Sequence, residues 1–121
     1  MYDATKNIQT SPFLKKSGRV RVTFKTKHDL IFAGKPQEAS LELSYEPDKL
    51  LLEQPAYTAF LGAHLKQNWD TPEALMDILV ADFYDELVPL WVQAELTLKK
   101  DGIKQEIYAL KEQPEIAHES T

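Results

Sequence analysis

A chain of 121 residues with 43% hydrophobic and 27% charged side chains sits in the soluble globular range and is the size of one domain. A net charge of −5 offers no basic surface for a nucleic-acid backbone, and no segment approaches the ~20 apolar residues of a membrane span. The absence of cysteine excludes disulfides, thiolate metal sites and a cysteine nucleophile. It suits a reducing compartment, so a cytoplasmic protein is expected.

Residues 1–18 are polar, lack an apolar run of signal-peptide length, and read as a flexible arm. The cluster Lys15-Lys16-Ser17-Gly18-Arg19-Val20-Arg21 reads as a solvated lead-in to a strand rather than a binding patch. Val20, Val22 and Phe24 alternate with Arg21, Thr23 and Lys25, which predicts a half-buried strand. Gly34-Lys35-Pro36 signals a turn. Leu41, Leu43 and Tyr45 then alternate with Glu42, Ser44 and Glu46, and Pro47 ends that strand.

Ala56, Ala59, Phe60 and Ala63 fall at helical spacing between Pro55 and Lys66. A second helix has a clearer start: Asp70 or Thr71 as cap, Pro72 at the first position and Glu73 in the first turn. Its apolar stripe is Leu75, Met76, Leu79, Val80, Phe83 and Leu87. Val92, Ala94, Leu96 and Leu98 alternate in the next strand, Asp101-Gly102 is a hairpin turn, and Ile103 to Leu110 returns as its partner. The order ββααββ predicts an α+β domain over residues 19–112, with two helices on one face of a four-stranded antiparallel sheet. Residues 113–121 read as a flexible tail.

Such a sheet leaves two edges unpaired and one face uncovered, which favours a symmetric homo-oligomer. The histidines His28, His64 and His118 show no metal-ligand spacing. No Gly-rich phosphate loop or nucleophile elbow is present. Burial at the helix–sheet junction accounts for Trp69 and Trp91, a stacking wall for a flat ring being the alternative.

From Gly34 to Leu110 the chain resembles a known family. Gly34-Lys35-Pro36, the strand ending Tyr45-Glu46-Pro47-Asp48-Lys49, the following Glu53, and Leu98-Lys99-Lys100-Asp101-Gly102-Ile103 carry the likeness. They resemble the tunnelling-fold nitrile reductases of queuosine biosynthesis, the 7-cyano-7-deazaguanine reductases. The resemblance implies a tunnelling fold whose subunits join edge to edge into barrels, with ligand sites between subunits.

The family attacks its nitrile with a Cys thiolate, protonates with an Asp and reduces with NADPH. In this chain Leu30 falls at the nucleophile's position and Gln37 at the proton donor's; Asp29 and Glu38 are each one residue off. The family's NADPH signature survives at Glu53 and Phe60, whereas Pro55 and Thr58 stand in place of its two lysines, the groups suited to a nucleotide phosphate. Both losses imply that the reductase reaction is gone and that no cofactor is bound.

An ungapped match from Glu53 puts Thr71-Pro72 at the family's His-Glu pair. A one-residue insertion, favoured by Glu73-Ala74-Leu75, puts Pro72-Glu73 there and loses the histidine. Glu73 then falls on the glutamate that anchors the ring in tunnelling-fold proteins, where a carboxylate accepts two parallel N–H bonds from a guanine-like or pterin-like edge. It also suits a capping box with Asp70 and the helix dipole. Glu53 has the same two options, ring contact or helix capping. The resulting expectation is a homologue without reductase chemistry that binds a purine- or pterin-like ring through Glu53 and Glu73, alone or beside a catalytic paralogue. A tunnelling-fold enzyme with different chemistry, or a purely structural oligomer, are the alternatives.

Overall fold

The computed structural model describes residues 10–14 and 18–114. Six strands and two helices follow in the order β1 (Thr10–Pro12), β2 (Val22–Phe32), β3 (Lys35–Glu46), β4 (Leu50–Leu52), α1 (Gln54–Leu65), α2 (Pro72–Leu87), β5 (Trp91–Lys100) and β6 (Ile103–Glu112). The main sheet has the order β2-β3-β5-β6, antiparallel throughout, as the alternating apolar pattern predicts. Both helices cover one face. Leu41, Leu43, Tyr45, Val92, Ala94, Leu96 and Leu98 pack there against Phe60, Leu75, Met76, Leu79 and Phe83. Phe83 makes an edge contact with Phe60 at 5.6 Å, and Tyr45 tilts against it at 5.0 Å.

The opposite face is polar, with Lys25, Lys27, Glu42, Ser44, Glu95 and Thr97 standing where the period of two places them. Among the described residues no helix is long and apolar enough to cross a membrane.

Two local features depart from the sequence expectation, and a third selects between two options it left open. Thr10–Pro12, within the segment expected as a loose arm, pairs with Leu50–Leu52 in a second, two-stranded sheet. Three-residue strands carry too little pattern to register in the sequence. The rest of the arm up to residue 9, residues 15–17 and the tail from residue 115 lie outside the described residues. The first hairpin turns at Ala33-Gly34, both with positive φ, so that Lys35 and Pro36 already belong to β3. Finally, Thr71 caps α2, its Oγ1 accepting from Ala74 N–H at 3.1 Å. Asp70 therefore makes no capping box with Glu73.

His64 is fully buried on α1. Its Nε2 lies 2.8 Å from Asp82 Oδ2 on α2, and its Nδ1 lies 2.9 Å from the Phe60 carbonyl oxygen. This pair ties the two helices together and is a core histidine rather than a ligand. The two tryptophans serve similar ends at opposite ends of the sheet. Trp69 Nε1 donates to the His64 carbonyl at 2.8 Å, and Trp91 Nε1 donates to Glu46 Oε1 at 2.8 Å. They form no common wall.

Candidate functional site

Leu30 and Gln37 are direct cross-strand partners near the closed end of the β2–β3 hairpin. Residues opposite one another in an antiparallel pair share a face, and Leu30, only 5% exposed, places that face under the helices. The pair thus marks one spot, and an aliphatic side chain and an amide fill it. Asp29 and Glu38 also pair, but on the polar face. The one-residue offset takes both off the face that Leu30 and Gln37 share, although Asp29, on the edge strand, still borders the cleft beside α1.

Glu53 and Glu73 are not brought together within one chain. Glu53 is the N-cap residue of α1, exposed, and its side chain caps nothing. It follows β4, whose Leu52 N–H donates to the Tyr45 hydroxyl at 3.0 Å, so it belongs to the Tyr45 end of the sheet. Glu73 is exposed at the start of α2, with Gln105 Nε2 on β6 3.5 Å from its Oε2. Gln105 is opposite Leu98, and Leu98 is opposite Ala39. From Ala39 to Tyr45 is six residues of strand, roughly 20 Å. Neither glutamate is held by a strong contact, so both remain available to a ligand. A complete site from these residues needs more than one subunit.

A feature that periodicity did not single out lies along the free edge of β2. Thr26, His28 and Leu30 of β2 face Tyr57, Gly62 and Leu65 of α1 across an open cleft of about 350 Å³. The His28 ring reaches Thr26 Oγ1 through Nε2 at 2.7 Å. Partial burial lowers the pKa of His28 and so favours the neutral imidazole. Tyr57 is 2% exposed, with its ring stacked on Phe24 at 4.1 Å and 11°. Its hydroxyl has no hydrogen-bond partner. Thr26 acts on that hydroxyl as a hydrogen-bonding neighbour and offsets part of the burial effect, although their geometry falls outside a regular hydrogen bond. Burial pushes the Tyr57 pKa far up, so the group is a donor at any ordinary pH. Thr58, where the family resemblance calls for a lysine, also lines this cleft. The sequence signal that could have found it is the alternation Thr26, His28, Leu30 on one face of β2, polar where an apolar stripe was due.

Among the described residues no three His, Asp or Glu side chains are grouped to hold a metal ion. The polar face carries two open cavities of comparable size, one of about 410 Å³ lined by Lys25, Glu42 and Glu95 and one of about 310 Å³ lined by Lys27, Glu38 and Lys99.

No family model matches the chain, and no curated protein is similar to it. Among solved structures, the apo form of the archaeosine synthase QueF-Like is similar, with a TM-score of 0.65 over 79% of this chain and 95% of that one, at 14% identity. The fold is QueF-like. The likeness runs over nearly the whole of that protein. At this identity it speaks to the fold and leaves the chemistry to the residues described above.

Proposed function

We propose that this chain is a QueF-like tunnelling-fold protein without nitrile reductase chemistry. In this reading it forms a symmetric homo-oligomer and binds a purine- or pterin-like ring at the subunit interface, in the queuosine and archaeosine area of nucleoside modification. The observation that carries the proposal is the Leu30–Gln37 pair: the position matched to the family's nucleophile is a buried leucine, and its cross-strand partner is an amide. Neither group can add to a nitrile or donate the proton.

Strand directions support the assembly. Alternation through β3 and β5 makes β2 and β6 run in opposite directions, and among the described residues both are unpaired edges. A second copy in the same orientation can therefore set its β6 beside β2 with antiparallel pairing, and repetition closes a ring. The Leu30–Gln37 end of β2 and the Glu73–Gln105 end of β6 lie at the same end of the sheet. Ring closure then brings Glu73 of one copy toward the hairpin of the next, where a carboxylate can hold the amidine edge of a heterocycle. A catalytic paralogue in a mixed ring would supply the missing nucleophile.

The test is light scattering of the purified chain, followed by calorimetric titration with 7-cyano-7-deazaguanine, guanine and a pterin, beside a Glu73→Gln variant. An oligomer that binds one of these rings and loses it in the variant is the expected result. An oligomer silent to all three would leave a structural role, and a monomer would remove the interface site altogether.

A further inference from the structure

We propose that copies of this chain join β6 to the next copy's β2 in one register, in which Lys25 stands opposite Glu112. The inference rests on the ring proposed above and goes beyond it by naming the junction that builds the ring.

Within one copy, direct partners run straight across the sheet. Lys25, Glu42, Glu95 and Tyr108 form one row, and the pairs on either side of it follow in step without a bulge. A sheet closes into a barrel only if its strands tilt, and tilt requires the hydrogen-bond register to slip around the ring. With no slip inside the copy, all of it falls at the junction. Barrels whose slip matches their strand number tilt by about 36°, so a four-stranded copy needs a slip of about four residues.

A slip of four can run either way, and the residues of this chain distinguish the two directions. In one, residues 105–112 of β6 face residues 25–32 of β2, a long ladder inside both strands. In the other, only residues 103–107 face residues 22–26 before one strand runs out. The side chains agree with the longer ladder. On the polar face it sets Lys25 opposite Glu112, Asp29 opposite the Tyr108 hydroxyl and the Lys27 stem opposite Leu110, with no like charges facing. Lys25, Tyr108 and Leu110 are all exposed in the single copy, and this junction covers them. The shorter ladder sets Lys25 against Lys104, and like charges directly opposite oppose pairing.

Under the helices, the longer ladder sets Ile107 opposite Leu30 and Gln105 opposite Phe32. Gln105 Nε2 lies 3.5 Å from Glu73, so Glu73 arrives beside the neighbour's Leu30. The shorter ladder sets Gln105 opposite Phe24, six residues or roughly 20 Å from Leu30. An unslipped junction also matches charge, Lys27 facing Glu106 and Asp29 facing Lys104, but its strands do not tilt and its copies only extend an open sheet.

The chain lacks cysteine, so disulfide trapping reads the register directly. Partners on one face alternate between close and wide pairs, and each register is therefore probed with two cysteine pairs. Lys25→Cys with Glu112→Cys, and Lys27→Cys with Leu110→Cys, report the proposed junction. Thr23→Cys with Glu106→Cys, and Lys25→Cys with Lys104→Cys, report the opposite slip. Lys25→Cys with Tyr108→Cys, and Lys27→Cys with Glu106→Cys, report no slip. The full-length variants are mildly oxidised and run on non-reducing denaturing gels. A ladder of linked chains from at least one of the first two pairs, and from none of the other four, is the expected result. As a second arm, Lys25→Glu should weaken assembly on dilution about fivefold, the size of one exposed ion pair, and Glu112→Lys added to it should restore assembly. Light scattering of the native chain separates this inference from the ring it rests on. A monomer removes the ring itself, whereas an oligomer that links through a control pair, or through none, overturns this junction alone.

Discussion

Leu30 and Gln37 face each other across the first hairpin, under the helices and at the end of the sheet where α2 begins. Replacing Leu30 by cysteine would put a thiol there without the reactivity that a nucleophile needs. A thiol at a site this apolar has a raised pKa, and Gln37 offers no proton relay. Leu30→Cys is therefore expected to form no thioimide with 7-cyano-7-deazaguanine at neutral pH. Intact mass spectrometry after incubation checks this, and a mass gain equal to the nitrile would show that the site's chemistry had been retained.

Gly62 is open for a methyl group. Gly62→Ala should stabilise the chain by about 0.5–1 kcal/mol, since helix propensity improves and nothing is crowded. Thermal unfolding reads the effect as a rise of a few degrees. A fall would mean that the helix relies on glycine for a close approach.

Removing a buried tyrosine hydroxyl ordinarily costs about 1 kcal/mol through its lost hydrogen bond. At Tyr57 no bond is lost. Tyr57→Phe should be neutral or stabilising in denaturant titration, with the Phe24 stacking intact. A loss well above 1 kcal/mol would reveal a partner for the hydroxyl in solution.

Glu46 is 3% exposed and accepts from Trp91 Nε1 and from both Nε and Nη2 of Arg19. Through these bonds it holds the entry to β2 against the start of β5. Glu46→Ala strands a partly buried indole N–H and should cost about 2 kcal/mol, the range of a charge-assisted hydrogen bond. Arg19 is mostly exposed, so Arg19→Ala should cost clearly less. Denaturant midpoints of the two variants, with Trp fluorescence as the signal, test this order.

His28 gives the fold a pH dependence. Burial lowers its folded-state pKa below the ordinary 6.5, so the folded state favours the neutral ring. The associated stability is fully present above pH 6.5 and declines as the pH falls through the lower folded value. Between pH 7.5 and 5 the unfolding temperature of the native chain should fall further than that of His28→Gln. Parallel curves would show that the imidazole stays hydrated in the fold.

Most of the architecture was legible in the chain because it rests on local periodicity. Val22 and Phe24, then Leu41, Leu43 and Tyr45, then Val92 to Leu98, alternate with a period of two; Leu75 to Leu87 repeats at helical spacing. The turn at Asp101-Gly102 follows from positive φ at both residues. Pairing of β1 with β4 was not legible, since three residues carry no period. Nor was the cap at Thr71, because Asp70 offers the same chemistry one residue earlier and only the chain's path selects between them.

Sequence alone determined which residues are missing: no cysteine anywhere, and Leu30, Gln37, Pro55 and Thr58 at the positions that the resemblance matches to a reductase's nucleophile, proton donor and two lysines. Those are identities, and folding does not alter them. Only the tertiary structure decided which residues meet. It set Glu53 and Glu73 at opposite ends, confined His64 to the core with Asp82, and gathered Thr26, His28, Tyr57 and Gly62 around one cleft. The side-chain pattern specifies which way each element faces, while the docking of α1 along the edge of β2 depends on the packing of the whole core. A cleft between two elements thirty residues apart is therefore marked in the sequence only by Thr26 and His28, polar where β2 was due an apolar stripe.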